Sequence, residues 1–154
     1  MSRIDPKTNT VVATIEVGKQ PSAIAISEGV AWVANFASHS VSRIDPRTNT
    51  IAATIKVGGS PHTIVARGTD VWAADRSGVV TRVDTKSNGI VAQSDVVFGL
   101  AGMAVTGNSL WVADYDRGRL MRIDLESNAF EGHVDVGKAP VILEEERIKR
   151  ERSG

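Results

Sequence analysis

Residues 43–61 read RIDPRTNTIAATIKVGGSP, and residues 3–21 have already read RIDPKTNTVVATIEVGKQP. Two stretches with the same punctuation at a fixed distance mark an internal repeat, the signature of a solenoid, propeller or array. Three sets of positions set the period. Trp32, Trp72 and Trp111 are 40 and 39 residues apart. The triplets Arg3-Ile4-Asp5, Arg43-Ile44-Asp45, Arg82-Val83-Asp84 and Arg122-Ile123-Asp124 recur at 40, 39 and 40, and Asn9, Asn49, Asn88 and Asn128 keep the same rhythm. A period of about 40 suits a helical pair or a four-stranded propeller blade, and is too long for a leucine-rich repeat.

Local patterning decides between them. In IAATIKV, Ile51, Ala53, Ile55 and Val57 fall on one face at period two, as in a half-buried strand. AWVAN, VWAAD and LWVAD are short Trp- and Val-rich runs ending in Asn or Asp, and VSRID and LMRID alternate apolar with polar residues. Gly, Pro, Asn and Asp separate these runs about every eight to twelve residues, which is strand-and-turn spacing. The pattern predicts an all-β chain with four antiparallel strands, A to D, per repeat. Three complete blades are expected, with strands near 22–27, 30–35, 40–45 and 51–57, then 62–67, 70–75, 79–84 and 90–96, then 101–106, 109–114, 119–124 and 130–136. An orphan C–D pair opens the chain within 1–17 (strands near 2–5 and 11–17). A further strand is expected at 138–143, so the propeller repeats span 1–143. The charged segment 144–154 pairs Glu145 with Lys149 and Glu146 with Arg150 at i, i+4, and reads as a solvated helix or a disordered tail.

The run Trp-Val-Ala-Asn followed by Val-Ser-Arg-Ile-Asp-Pro-Arg-Thr-Asn-Thr-Ile-Ala-Ala-Thr-Ile-Lys-Val-Gly (residues 32–35 and 41–58) resembles the YVTN-type β-propeller repeat. It is similar too to repeats of the streptogramin lyase (virginiamycin B lyase) group. The resemblance covers residues 1 to about 143 and implies a β-propeller. It implies little about function, because such folds host enzymes and binding modules alike. A propeller typically has four to eight blades, so three blades plus pieces describe an incomplete or open one. The apolar flanks of its terminal blades are expected to favour self-association.

Composition narrows the partners. Eighteen basic and eighteen acidic residues cancel, which argues against electrostatic capture of nucleic acid or an anionic membrane surface. No run of 18 apolar residues occurs, so no membrane partner is expected. Cysteine is absent, which removes disulfides, thiolate metal sites and Cys nucleophiles. The first 20 residues carry no secretory-type apolar core, although propellers like those resembled are often extracytoplasmic. No phosphate loop, dinucleotide fingerprint or nucleophile elbow is present, and no cofactor is expected.

Candidate site residues follow from the topology. D–A and B–C connections emerge on one face, and the family resemblance implies that ligands sit there, near the axis. Asn35, Asp75 and Asp114 end strand B in successive blades. They are three oxygen donors at one level, able to bind a hard cation or hydroxylated ligand or to cap their own turns. Arg76, Tyr115 and Arg117 occupy loops of the same face and are side chains common as binding anchors. His62 breaks the repeat: it follows Pro61 at the mouth of an innermost strand, where Ser22 and Ala101 stand in the other blades. In the lyase-like relatives, channel-face His and Glu residues carry elimination chemistry. Two functions are therefore expected. The first is a non-catalytic binding module, part of a larger propeller, for a protein or small-molecule ligand. The alternative is a lyase or lactone hydrolase using catalytic His62, with Asp75 nearest and a divalent cation as the one cofactor it would recruit.

Overall fold

The computed structural model describes residues 1–96 and 99–137. Fourteen strands and one 3-10 turn make up these residues. β1 (Ser2–Asp5) and β2 (Thr10–Thr14) form a two-stranded sheet. β3 (Pro21–Ser27), β4 (Val30–Asn35), β5 (Ser40–Asp45) and β6 (Thr50–Lys56) form the first four-stranded blade. β7 (Pro61–Arg67), β8 (Asp70–Asp75), β9 (Val79–Asp84) and β10 (Gly89–Asp95) form the second. β11 (Leu100–Thr106), β12 (Ser109–Asp114), β13 (Arg119–Asp124) and β14 (Phe130–Asp135) form the third. Within each blade, strand order follows chain order and every neighbouring pair is antiparallel. The innermost strands β3, β7 and β11 pack side by side. These are β-propeller blades, three complete and one represented by its outer two strands, in an open array.

The predicted strands match these bounds to within a residue, apart from β2, which stops at Thr14. Beyond Thr14, Ile15 still exchanges two 2.8 Å backbone hydrogen bonds with Met1. The strand expected at 138–143 and the tail 144–154 lie outside the described residues.

The Asp-Pro-Lys/Arg-Thr-Asn stretches fold as their chemistry dictates. Asp5 and Asp45 each accept the amide two residues on at 2.8 Å. Asn9, Asn49, Asn88 and Asn128 all sit at φ between 53° and 57°, the left-handed region that Asn tolerates better than most side chains. Charged residues recur here because the turn recurs.

Packing between blades is built from equivalent positions. Trp32, Ala34, Val41, Ile55 and Val57 of the first blade bury against Ile64, Val71, Ala73 and Val83 of the second. Trp72, Ala74 and Val80 bury in the same way against Leu100, Met103, Leu110 and Ile123 of the third. Burial of one such side chain is worth about 1.5–3 kcal/mol. Two places are exceptions. On the first blade Ile24 is 54% exposed where its equivalent Ile64 is 5% exposed, and on the β1–β2 hairpin Ile4 is 58% exposed where Ile44 is 2%.

A polar ladder runs beside the apolar one. Arg3 Nη1 donates to the Pro46 carbonyl and to Asn49 Oδ1, both at 2.8 Å. Arg43 Nη1 lies 3.5 Å from Asn88 Oδ1. Arg82 Nη1 donates to the Leu125 carbonyl at 2.6 Å and to Asn128 Oδ1 at 2.7 Å. Arg3, Arg43 and Arg82 thus each reach the C–D turn of the following blade.

Candidate functional site

The D–A and B–C connections gather on one face among the described residues. The Phe36 amide donates to the Gln20 carbonyl at 2.9 Å, the Gly99 amide to the Arg76 carbonyl at 3.2 Å, and the Tyr115 amide to the Gly99 carbonyl at 3.0 Å. Close approach of backbone to side chain holds these loops together. A Cβ at Gly18 would stand 2.7 Å from Cβ and Cγ of Asn35, and one at Gly59 would collide with the Asp75 carboxylate. Only a residue without a side chain fits at either place.

Each inner strand enters this face through a β-bulge. Pro61 pairs with Asp75 and Thr63 with Ala74, so His62 is the extra residue opposite neither. Ser22 and Ala101 hold the same bulged place in the first and third blades. A bulge bends its strand and re-aims the inserted side chain. It therefore presents Ser22, His62 and Ala101 at the mouth, one from each blade.

His62 Nε2 lies 3.3 Å from Nη2 of Arg76. Burial, and next the Arg76 charge, push the imidazole below its ordinary pKa of 6.5, so it is neutral at neutral pH. Two clefts share this pair as a wall. One, of ≈ 340 Å³, is completed by Gly99, Leu100, Ala101 and Tyr115. The other, of ≈ 310 Å³, is completed by Gln20, Pro21, Ser22 and Phe36. Of the predicted residues, His62, Arg76 and Tyr115 come together here.

The others are placed elsewhere. Asp75 Oδ1 accepts the Ser77 amide (3.0 Å), the Ser77 hydroxyl (2.6 Å) and the Val79 amide (3.1 Å), so it caps its own turn. Asp114 is fully buried and accepts from the Arg117 amide at 3.1 Å, with the Arg117 guanidinium 3.4 Å from its other oxygen. Asp114 and Arg117 line a separate cavity of ≈ 630 Å³ between the second and third blades, with Ser77, Val79, Asp95 and Met121 among its walls. Asn35 is fully buried and donates to Ser42 at 2.9 Å and Ser40 at 3.4 Å, while its Oδ1 has no partner among the described residues. Asn35, Asp75 and Asp114 therefore each turn toward their own blade. On the outer strand, Glu131 pairs with Arg122 at 3.0 Å and not with His133.

Phe36 and Gln20 line the cleft without having been singled out in the sequence. The signal was there: Phe36, Arg76 and Tyr115 each follow the strand-B Asn or Asp, one per blade. Two repeat positions that vary while their neighbours stay constant supply both walls of the clefts.

No family model and no curated protein matches the chain. Solved structures do. The TM-score is 0.76 against a chain of a mitotic checkpoint complex, at 16% identity, covering 88% of this chain and 44% of that one. It is 0.75 against hydrazine synthase from Kuenenia stuttgartiensis, at 19% identity, with 82% and 39% covered. It is 0.66 against BamB from Moraxella catarrhalis, at 20% identity, with 76% and 37% covered. These neighbours are β-propeller proteins, and the chain spans about two fifths of their length. Likeness at such identities establishes the propeller fold and nothing narrower.

Proposed function

We propose that the chain is a non-catalytic binding module of a propeller, recognising an acidic segment of a protein partner at the mouth of its inner strands. The observation that carries this reading is the pairing of Arg76 with His62 between two clefts. Arg76 has no carboxylate partner among the described residues. A guanidinium beside a neutral imidazole suits a carboxylate, with Arg76 supplying charge and planar donors and His62 supplying a directional hydrogen bond. Tyr115 and Phe36 flank the pair and offer aromatic surface of the kind that anchors protein contacts.

The alternative, lyase or lactone-hydrolase chemistry of the streptogramin lyase type, draws support from the same neutral imidazole, since a base must be unprotonated. It needs a second acid, base or cation ligand beside His62, and Oδ1 of Asp75 is already engaged by its own turn. Short Glu-containing peptides and their Gln counterparts, titrated against the chain with NMR detection of His62 and Tyr115, separate the readings. Saturable shifts with the acidic peptides, lost in Arg76→Ala, are expected. Binding of neither set, or binding indifferent to Arg76→Ala, would sink the proposal. Lactone turnover abolished by His62→Ala would establish the alternative.

A further inference from the structure

Phe36, Arg76 and Tyr115 hold one repeat position, directly after the strand-B Asn or Asp of successive blades. Ser22, His62 and Ala101 hold another, the bulge residue of the innermost strand. Together they lay out the mouth in three steps. An aromatic side chain stands on the first blade, a cation beside an imidazole on the second, and an aromatic side chain again on the third. The ≈ 310 Å³ cleft belongs to the first and second blades and the ≈ 340 Å³ cleft to the second and third, with Arg76 and His62 as wall to both.

Away from that wall the linings are mostly apolar: Pro21 and Phe36 in one cleft, Leu100, Ala101 and Tyr115 in the other. The Ser22 hydroxyl is already engaged, donating to the Pro61 carbonyl at 2.8 Å. Arg76 itself is exposed, and an exposed ion pair alone contributes little to binding. Apolar groups seated on either side of it would exclude water from the pair and supply contact area of their own.

Chain geometry says where those groups must come from. In an extended segment, side chains at i and i±2 point the same way and lie about 7 Å apart. Taken as cubes, both clefts measure about the same 7 Å on a side. A segment that seats a carboxylate on the shared wall therefore delivers the side chains two residues before and two residues after it into the two clefts. Those at i±1 face away. A helix would instead bring its same-face neighbours from three or four residues away.

Resting on the reading of Arg76 as a carboxylate site, we infer that the partner segment is extended and of the pattern apolar-x-acidic-x-apolar. Its Asp or Glu meets Arg76 and His62, and one apolar side chain enters each cleft.

Calorimetric titration with end-blocked peptides tests this. Leu-Ser-Glu-Ser-Leu should bind tightest, and replacing either Leu by Ala should weaken binding about tenfold, as loss of one buried apolar side chain does. Ser-Leu-Glu-Leu-Ser, of the same composition in the wrong register, should bind no better than the peptide lacking both Leu residues. Phe36→Ala should abolish the penalty for truncating one Leu and Tyr115→Ala the penalty for the other. Tyr115 is 50% exposed, and thermal unfolding checks that both variants fold; the peptide series needs no variant at all. Equal affinity for every Glu peptide, still lost in Arg76→Ala, overturns this inference and leaves the acidic-segment reading standing. So does equal binding of the two registers, or a Leu penalty indifferent to both Phe36→Ala and Tyr115→Ala. Binding of no Glu peptide, or binding that survives Arg76→Ala, overturns both.

Discussion

Arg82 Nη1 and Asn128 Oδ1 lie 2.7 Å apart although 46 positions separate them, because the third strand of the second blade reaches over the C–D turn of the third. The same guanidinium binds both oxygens of Asp70, at 2.8 and 2.9 Å, and sits 5.6 Å from the centroid of the Trp72 ring. Arg82→Ala leaves Asp70 and the Leu125 carbonyl without their donor and is expected to cost about 2 kcal/mol. Arg43 makes one 3.5 Å contact and lies 5.8 Å from Trp32, so Arg43→Ala should cost about 0.5–1 kcal/mol. Urea denaturation measures both. Equal losses would mean that the ladder contributes nothing beyond the stacking of Arg on Trp.

Gly59 gives a sharper test of the loop face. A methyl group there meets the Asp75 carboxylate, and three donors from Ser77 and Val79 hold that carboxylate in place. Gly59→Ala is therefore expected to destabilise by about 2–3 kcal/mol, the range for overpacking a site that cannot yield. Gly29→Ala meets open space at a φ of 76° and pays only the left-handed strain, about 1–2 kcal/mol. Combining Gly59→Ala with Asp75→Ala should recover part of the loss. No recovery would show that backbone, not the carboxylate, is the obstacle.

His62 predicts a pH dependence. Its folded pKa lies below 6.5, with burial the larger cause and Arg76 the second. As pH falls, the unfolded chain takes up this proton first, so the contribution to stability is constant above about pH 6.5 and is lost between there and the folded value. The effect is modest because the imidazole is only partly buried. In an NMR titration the His62 midpoint should fall below 6.5. Arg76→Ala should raise it part of the way, leaving the share due to burial. A midpoint unchanged by Arg76→Ala would separate the two side chains.

The fold was legible because a 40-residue period repeats its turns and its strand faces together. The Asp-Pro and Asn positions punctuate the same places in every repeat, so strand bounds came within a residue nearly throughout. The site was legible only where the repeat broke. His62 announced itself against Ser22 and Ala101, but nothing in Pro61-His62-Thr63 signals that His62 is a bulge residue, since a bulge is set by pairing between strands. The three strand-B ends hold the same repeat position, yet the hydrogen bonds of their side chains stay within their own blades. Whether Asp75 faces a ligand or Ser77 depends on local hydrogen bonds that a repeat pattern does not encode. Phe36 needed its alignment with Arg76 and Tyr115 to be seen.

Ile24 and Ile64 hold the same repeat position and should respond differently to the same substitution. Ile64 is buried in the core shared by the first two blades, so Ile64→Ala is expected to cost about 2–4 kcal/mol through lost transfer energy and a cavity. Ile24 is more than half exposed, so Ile24→Ala should cost about 0.5 kcal/mol. Both are measured by denaturant unfolding of dilute protein. Equal costs at the two positions would mean that the burial of Ile64 between the blades adds nothing to stability.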